Sequence, residues 1–293
     1  MSHVYHWVAD PYDFEFMRRA LLGVLLVGAV SPLVGCWIVL RRLAYLGDAM
    51  GHATLSGVAL AYLAGISITI GALGAGLAMA GIIALLTTHP RLRPDAVIGI
   101  AEVTLFALGV LIISRSHDIA VNLDHLLFGS VTTISSDDLR INAILGAVTI
   151  LAIAVAFNDL RALTFDPLHA RLAGIRVRAL QQGLLIGVTL AVVISLQTVG
   201  LLMSVAMLVV PASAARLLTT TMARMSGAAV AIGMASSATG LTLSYHLRSA
   251  PGATIALTAV GCLVVAFVIT RQRRGISPAA HAAERPATEP ALP

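Results

Sequence analysis

The sequence predicts an all-α protein, a polytopic bundle of transmembrane helices. Of its 293 residues, 58% are hydrophobic and only 11% are charged, whereas a soluble domain has about 25% charged residues. The mean hydropathy is +0.92. A chain this apolar could not keep a water-facing surface, which argues against a soluble globular enzyme. Apolar runs of the length that a bilayer requires recur along the chain.

Nine apolar segments make up the predicted membrane spans, since a helix needs about 17–25 mainly apolar residues to cross a bilayer. The second segment is short and polar. Only Gln197 and Thr198 separate the sixth from the seventh, so eight spans, with one pair merged or one segment re-entrant, is the alternative. The nine ranges are 19–40, 49–65, 67–87, 96–114, 141–157, 180–196, 199–218, 226–244 and 253–270.

Three regions follow from this pattern. Residues 1–16 form a polar-aromatic N-terminal segment without the positive charge of a signal peptide. Its aromatic rings suit a membrane interface. Residues 17–272 form the transmembrane domain, and residues 273–293 form a Pro/Ala-rich polar tail that is predicted to be disordered in the cytoplasm.

The basic residues predict the orientation of the chain. All 19 are arginine. Most of them lie in loops on one side of the predicted spans, and most loop carboxylates lie on the other. Because arginine is enriched on the cytoplasmic side, we expect the N-terminus outside and the C-terminus inside, although the Arg18–Arg19 pair is a mild contradiction.

The composition also excludes several functions. A chain without lysine has no P-loop, which requires Gly-Lys-Ser/Thr, so it cannot hydrolyse ATP by that mechanism. The two cysteines lie inside apolar runs and form no disulfide framework. The chain is basic but has no basic stripe with interleaved aromatic residues, so no nucleic-acid partner is expected.

Three polar residues of the second predicted span form the first candidate site. Asp48, His52 and Ser56 recur every four residues, so in a helix they share one face. A carboxylate in a bilayer costs about 2.5–3.5 kcal/mol, and carboxylate with imidazole suits Zn²⁺ or Mn²⁺. The alternative is that Asp48 caps the helix at the interface and His52 only packs between helices.

Glu102 is a further candidate, because it lies inside an otherwise apolar span and such carboxylates are usually functional. Alternatively it reaches the cytoplasmic interface and pairs with Arg91 or Arg93. Outer-loop polar residues could feed cations to an entrance or could simply be solvated. These are His117, Asp118, Asp124 and His125.

The inner loop 165–178 predicts a short, self-contained helix. Asp166 is a favourable N-cap, Pro167 fits the first helical position, and Gly174 fits a left-handed stop. With Arg171 on its surface, such a helix could dock into a groove on a cytoplasmic partner. The alternative is a simple interfacial connector.

Three segments resemble the permease family of zinc/manganese-type metal ABC transporters. They are RRLAYLGDAMGHATL at 41–55, LLFGSV at 126–131, and VGLL at 199–202 with LVVPASAAR at 208–216. They keep the order found in the family, and the likeness runs from about residue 17 to residue 272.

The resemblance implies a permease subunit in the cell membrane of a bacterial-type cell. It implies a homodimer or a pair of permeases with two cytoplasmic ATPase subunits and an extracytoplasmic metal-binding protein. No cofactor is bound permanently, and the cargo is Zn²⁺ or Mn²⁺. The family associates Asp48 and His52 with the metal path and the loop 165–178 with ATPase coupling. The coupling residues would be Asp166, Pro167, Arg171 and Gly174.

If the second helices face the dimer axis, symmetry supplies two Asp48 and two His52 side chains, a closed four-ligand shell. Ser56 would line the same path and Glu102 would lie farther along it. The runner-up is a stand-alone secondary transporter or channel that uses Glu102 and His52 as an ion relay. An intramembrane enzyme is disfavoured, because the sequence has none of the usual catalytic motifs.

Overall fold

A computed structural model describes Tyr12, residues 14–115 and residues 134–275. This part of the chain is entirely helical, without a strand, in agreement with the predicted fold class. Ten helices follow one another along it. They are α1 (Glu15–Leu40), α2 (Tyr45–Ala64), α3 (Ile68–Leu86), α4 (Pro94–Arg115), α5 (Ser136–Phe165), α6 (Pro167–Leu172), α7 (Val177–Val199), α8 (Leu201–Leu218), α9 (Met222–Leu247) and α10 (Pro251–Gly275).

Nine of these helices overlap the nine predicted apolar segments, one helix for each segment, and α6 is the short inner-loop helix. Seven helices of the described chain are long and apolar enough to cross a membrane, namely α1, α3, α4, α5, α7, α9 and α10. Helices α2, of 20 residues, and α8, of 18 residues, are not among these seven. The count of nine spans therefore stays a prediction.

Helix α1 forms the centre of the bundle, where it packs against α5, α7, α8 and α9. Trp37 is fully buried, and its ring meets Phe157 of α5 edge-on with centroids 5.4 Å apart. The contact with α9 is backbone to backbone. A Cβ added to Gly28 would lie 2.7 Å from the carbonyl oxygen of Gly233, so only glycine permits this approach.

Helices α2, α3 and α4 form a second group. A Cβ added to Gly57 of α2 would lie 2.0 Å from the carbonyl oxygen of Gly71 of α3. Helix α4 packs against this pair but leaves large apolar side chains uncovered, with Val103 65% exposed and Leu111 62% exposed. This open side of the α2–α4 pair is where the candidate site lies.

Two of the boundary differences have a clear structural reason or affect the predicted regions. Helix α7 continues through Gln197 and Thr198 and ends at Val199, and Gly200 makes the break with a φ of +89°. Glycine adopts this positive φ without a Cβ clash. Helix α10 continues to Gly275, past the predicted tail boundary at 273. The rest of the tail and the four outer-loop candidates, His117, Asp118, Asp124 and His125, lie outside the described residues.

Candidate metal-binding site

The first two turns of α2 carry Tyr45, Asp48 and His52. The N-cap of α2 is Ala44, so Asp48 is not the capping residue that the alternative interpretation required. It lies inside the first turn, where a carboxylate interacts favourably with the helix dipole. The spacing of three and four residues puts the three side chains on neighbouring positions of one face.

Glu102 of α4 meets this face of α2. The Nδ1 atom of His52 lies 2.9 Å from Oε1 of Glu102, and the hydroxyl of Tyr45 donates a hydrogen bond of 2.6 Å to Oε2. Glu102 is only 8% exposed. Its partners are therefore two residues of α2 rather than Arg91 or Arg93. Nor does it lie farther along a path from His52, as the sequence had suggested, because the two side chains touch.

Asp48, His52 and Glu102 form a group that could hold a metal ion. Each offers one ligand atom, and the three atoms lie within 4.8 Å of one another. Two carboxylates and an imidazole suit borderline divalent cations. Tetrahedral coordination with bonds of about 2.0–2.2 Å requires ligand atoms about 3.4 Å apart. The three ligand atoms are therefore close enough to share one ion after small movements of their side chains.

The group is open on one side. The side chain of His52 is 35% exposed and that of Glu102 is 11% exposed. Phe106, one turn beyond Glu102 on α4, places its ring near the ring of His52 in a T-shaped contact with centroids 5.9 Å apart. Phe106 itself is 44% exposed. The site is therefore set into the uncovered surface of the α2–α4 pair rather than into the centre of the bundle.

Ser56 has a different environment from the other predicted site residues. It is 4% exposed, and its hydroxyl donates to the carbonyl oxygen of Ala53 at 2.7 Å. A Cβ added to Gly109 of α4 would lie 2.8 Å from the Ser56 side chain. Ser56 therefore lies in the contact between α2 and α4 instead of extending the open stripe of Asp48 and His52.

Sequence reasoning did not assign a role to Tyr45 or Phe106. Tyr45 is three residues before Asp48 and Phe106 is four residues after Glu102, which are spacings that put side chains on one helix face. These spacings were the only available signal. Whether the two faces meet depends on how α2 and α4 pack.

The inner loop forms the predicted short helix. Oδ1 of Asp166 accepts a hydrogen bond of 2.8 Å from the backbone N–H of His169, Pro167 occupies the first turn, and Gly174 has a φ of +77°. The surface of α6 is open, with Leu168 68% exposed and Leu172 81% exposed. The helix is confirmed, and its coupling role stays a prediction.

Comparison with known proteins identifies the family. Residues 13–270 match the family described as the ABC 3 transport family. The chain is a member of the ABC-3 family. This membership confirms the resemblance carried by the segments 41–55, 126–131 and 199–202 with 208–216.

Relatives of this ABC-3 protein cover nearly its whole length. It is 36% identical over 270 residues to the "probable iron transport system membrane protein" of Haemophilus influenzae, covering 92% of this chain and 99% of the relative. It is 34% identical over 271 residues to the "manganese import system permease protein ScaB" of Streptococcus gordonii, covering 92% and 97%.

A solved structure has the same fold. The ABC-3 protein superposes on "PsaBC from Streptococcus pneumoniae in complex with Fab" with a TM-score of 0.80 and 33% sequence identity, covering 90% of this chain and 95% of that chain. Together with the seven membrane-crossing helices of the described part, these relatives identify a multi-pass protein of the bacterial plasma membrane.

Proposed function

We propose that this ABC-3 protein is the permease subunit of an ATP-driven importer of divalent transition-metal cations. The observation that carries the proposal is the group of Asp48, His52 and Glu102, whose ligand atoms lie within 4.8 Å of one another at the uncovered surface of two helices. The relatives named for manganese and iron transport support a cation of this class as the cargo. Manganese, zinc and ferrous iron all accept carboxylate and imidazole ligands.

The open side of the site supports a second permease as its cover. In a lone chain, a carboxylate and an imidazole beside Val103 and Phe106 would face lipid, which is costly for polar groups. A second chain related by a two-fold axis would cover the exposed α2–α4 surface and add its own ligands. A shell completed only at a subunit contact can open as well as close, so the ion can enter and leave.

The energy must come from a separate subunit, since a chain without lysine has no P-loop. We expect two cytoplasmic ATPase subunits, with α6 as the contact. Leu168 and Leu172 supply exposed apolar surface, and Arg171 adds a positive charge. The permease is then a non-catalytic subunit. An extracytoplasmic binding protein would deliver the metal.

Uptake of radioactive Mn²⁺ tests the proposal in a strain lacking other importers and carrying the complete system, with the amount of permease in the membrane matched. Asp48→Ala and His52→Ala should each lower uptake at limiting Mn²⁺ by at least about tenfold, because each removes a ligand. Asp95→Ala is the matched control, since this exposed aspartate in the first turn of α4 lies outside the cluster. Near wild-type uptake in both site variants would place the cation site elsewhere.

Withdrawal of the ATPase separates the importer from a stand-alone transporter. Uptake should fall to background in cells that carry the permease and the binding protein without the ATPase subunits. Uptake that persists there and follows the membrane potential would favour a secondary transporter or channel that uses Glu102 and His52.

A further inference from the structure

Both oxygens of the Glu102 carboxylate form hydrogen bonds with side chains of α2. The Tyr45 hydroxyl donates to Oε2 at 2.6 Å, and Nδ1 of His52 lies 2.9 Å from Oε1. An ionised carboxylate can only accept hydrogen bonds, so the hydrogen between His52 and Glu102 belongs to Nδ1. In the neutral imidazole, Nε2 is then the nitrogen with the free lone pair.

This is the arrangement that prepares a histidine to bind metal. A metal-ligating histidine usually donates its other ring N–H to a carboxylate or carbonyl, which fixes the tautomer and the orientation of the ring. Glu102 meets this requirement at Nδ1, and the T-shaped contact with Phe106 limits rotation of the ring from another side. Within the described residues, the hydrogen bond to Glu102 is the only one made by the His52 ring.

Tyr45 has no evident packing role that would explain its position. Tyr45 as a residue is 56% exposed, yet its hydroxyl makes a short bond to the carboxylate of Glu102, a residue that is 8% exposed. A hydrogen bond to an ionised carboxylate is about twice as strong as a neutral one. The hydroxyl is therefore the part of Tyr45 that matters, and what it holds is the carboxylate that orients His52.

We propose that Tyr45 is a positioning residue of the cation site. Its hydroxyl holds the Glu102 carboxylate against Nδ1 of His52, so that Nε2 and Asp48 are presented to the transported ion. The proposal rests on the proposed function, because it assumes that Asp48 and His52 bind the cargo. It gives Glu102 an orienting role in the chain of contacts from Tyr45 to His52.

Binding of Mn²⁺ to the purified full-length permease in detergent tests the first step. Tyr45→Phe removes only the hydroxyl, and the ring is exposed, so folding should be unaffected. We expect binding weaker by about 10–100-fold, the usual loss when an outer hydrogen-bond partner of a ligand is removed. The matched control is Tyr62→Phe, since Tyr62 is 54% exposed on the same helix and lies about 25 Å along it from Tyr45. Wild-type affinity in Tyr45→Phe overturns the proposal.

A double-mutant cycle tests whether Tyr45 acts through Glu102. Glu102→Gln replaces the carboxylate that Tyr45 holds with an uncharged amide, which then lies beside Nδ1 of His52. The double variant Tyr45→Phe/Glu102→Gln should then bind Mn²⁺ no more weakly than Glu102→Gln alone, because two residues in one chain of contacts do not act additively. If the two losses multiply instead, Tyr45 acts independently of Glu102 and the proposal is wrong.

Transport kinetics give a readout that general damage would not reproduce. In cells that carry the complete system, Tyr45→Phe should raise the KM for Mn²⁺ uptake and leave the maximum rate unchanged at matched permease abundance. A fall in the maximum rate at unchanged KM would count against a positioning role.

Asp48→Ala separates failure of this proposal from failure of the proposed function. If Asp48→Ala loses Mn²⁺ binding and Tyr45→Phe keeps it, only the role of Tyr45 is wrong. If Asp48→Ala and His52→Ala both bind Mn²⁺ like the wild type, the cation site is elsewhere and both proposals fall together.

Discussion

Small residues allow close helix packing in both the α1–α9 pair and the α2–α4 pair, but the two pairs differ in how much of their surface stays exposed. In both pairs a glycine brings two helices together, at Gly28 against Gly233 and at Gly109 against Ser56. In the apolar stretch of α1, 67% of the residues are buried within the chain, whereas in that of α4 the share is 28%. Helix α1 is thus largely enclosed by its own chain, whereas the α2–α4 pair leaves both apolar surface and the candidate ligands uncovered. Close helix packing therefore serves as scaffold in one region and as a platform for a site in the other.

The largest expected effect comes from disrupting the close contact between α1 and α9. Gly28→Leu places a side chain where a Cβ alone would lie 2.7 Å from the Gly233 carbonyl oxygen. A backbone clash has no cheap relief, so we expect a destabilisation of about 3 kcal/mol or more and loss of folded protein from the membrane. The melting temperature and the amount of monodisperse protein in detergent measure this.

Gly81→Leu is the control for that variant, because a Cβ at Gly81 of α3 meets nothing within 4 Å. It should melt close to the wild type. Equal losses in the two variants would mean that glycine removal as such, and not the contact between α1 and α9, is responsible.

A substitution at the candidate site in the α2–α4 pair should have a different effect, because it should lower transport without unfolding the protein. Glu102→Gln keeps the size of a residue that is 8% exposed but removes the charge beside His52. Mn²⁺ uptake at limiting concentration should fall by about 10–100-fold, with permease abundance unchanged on immunoblots. The control Asp95→Asn alters an exposed carboxylate at the start of the same helix and should transport normally. A Glu102→Gln protein that disappears from the membrane would show that Glu102 supports the scaffold.

The inner-loop helix offers a third kind of defect. Gly174→Val forces a β-branched residue to a φ of +77°, at a cost of about 1–2 kcal/mol, and Arg171→Glu reverses an exposed charge. The double variant should lower transport and transport-linked ATP hydrolysis severalfold, while Mn²⁺ binding by the purified permease stays at the wild-type level. Normal transport would make α6 a simple connector.

Ser56→Ala should have the smallest effect. Among the residues that the structure describes, the Ser56 hydroxyl bonds only to the Ala53 carbonyl of its own helix, and removal of such a bond changes stability by about 0.5 kcal/mol. Uptake should stay within about twofold of the wild type, in contrast to Asp48→Ala on the same helix. A loss as large as that of Asp48→Ala would mean that Ser56 belongs to the cation path.

The sequence by itself determined the features that depend on neighbouring residues. Helix positions follow from the length of apolar runs, and α6 follows from Asp166, Pro167 and Gly174, because caps and turns act within a few residues. The proximity of Asp48 and His52 also follows, since a spacing of four residues on one helix fixes it.

Only the tertiary structure decided the rest of the site. Glu102 is 50 residues from His52, and its contact requires that a particular face of α4 turn toward α2. A membrane helix that is apolar around most of its circumference carries little periodicity to indicate that face. The orientation of α4 toward α2 is set instead by the close packing of the two helices, because Gly109 leaves room for the side chain of Ser56. The same packing buries Ser56, which the spacing alone had placed beside Asp48 and His52, and brings the Tyr45 hydroxyl to Glu102.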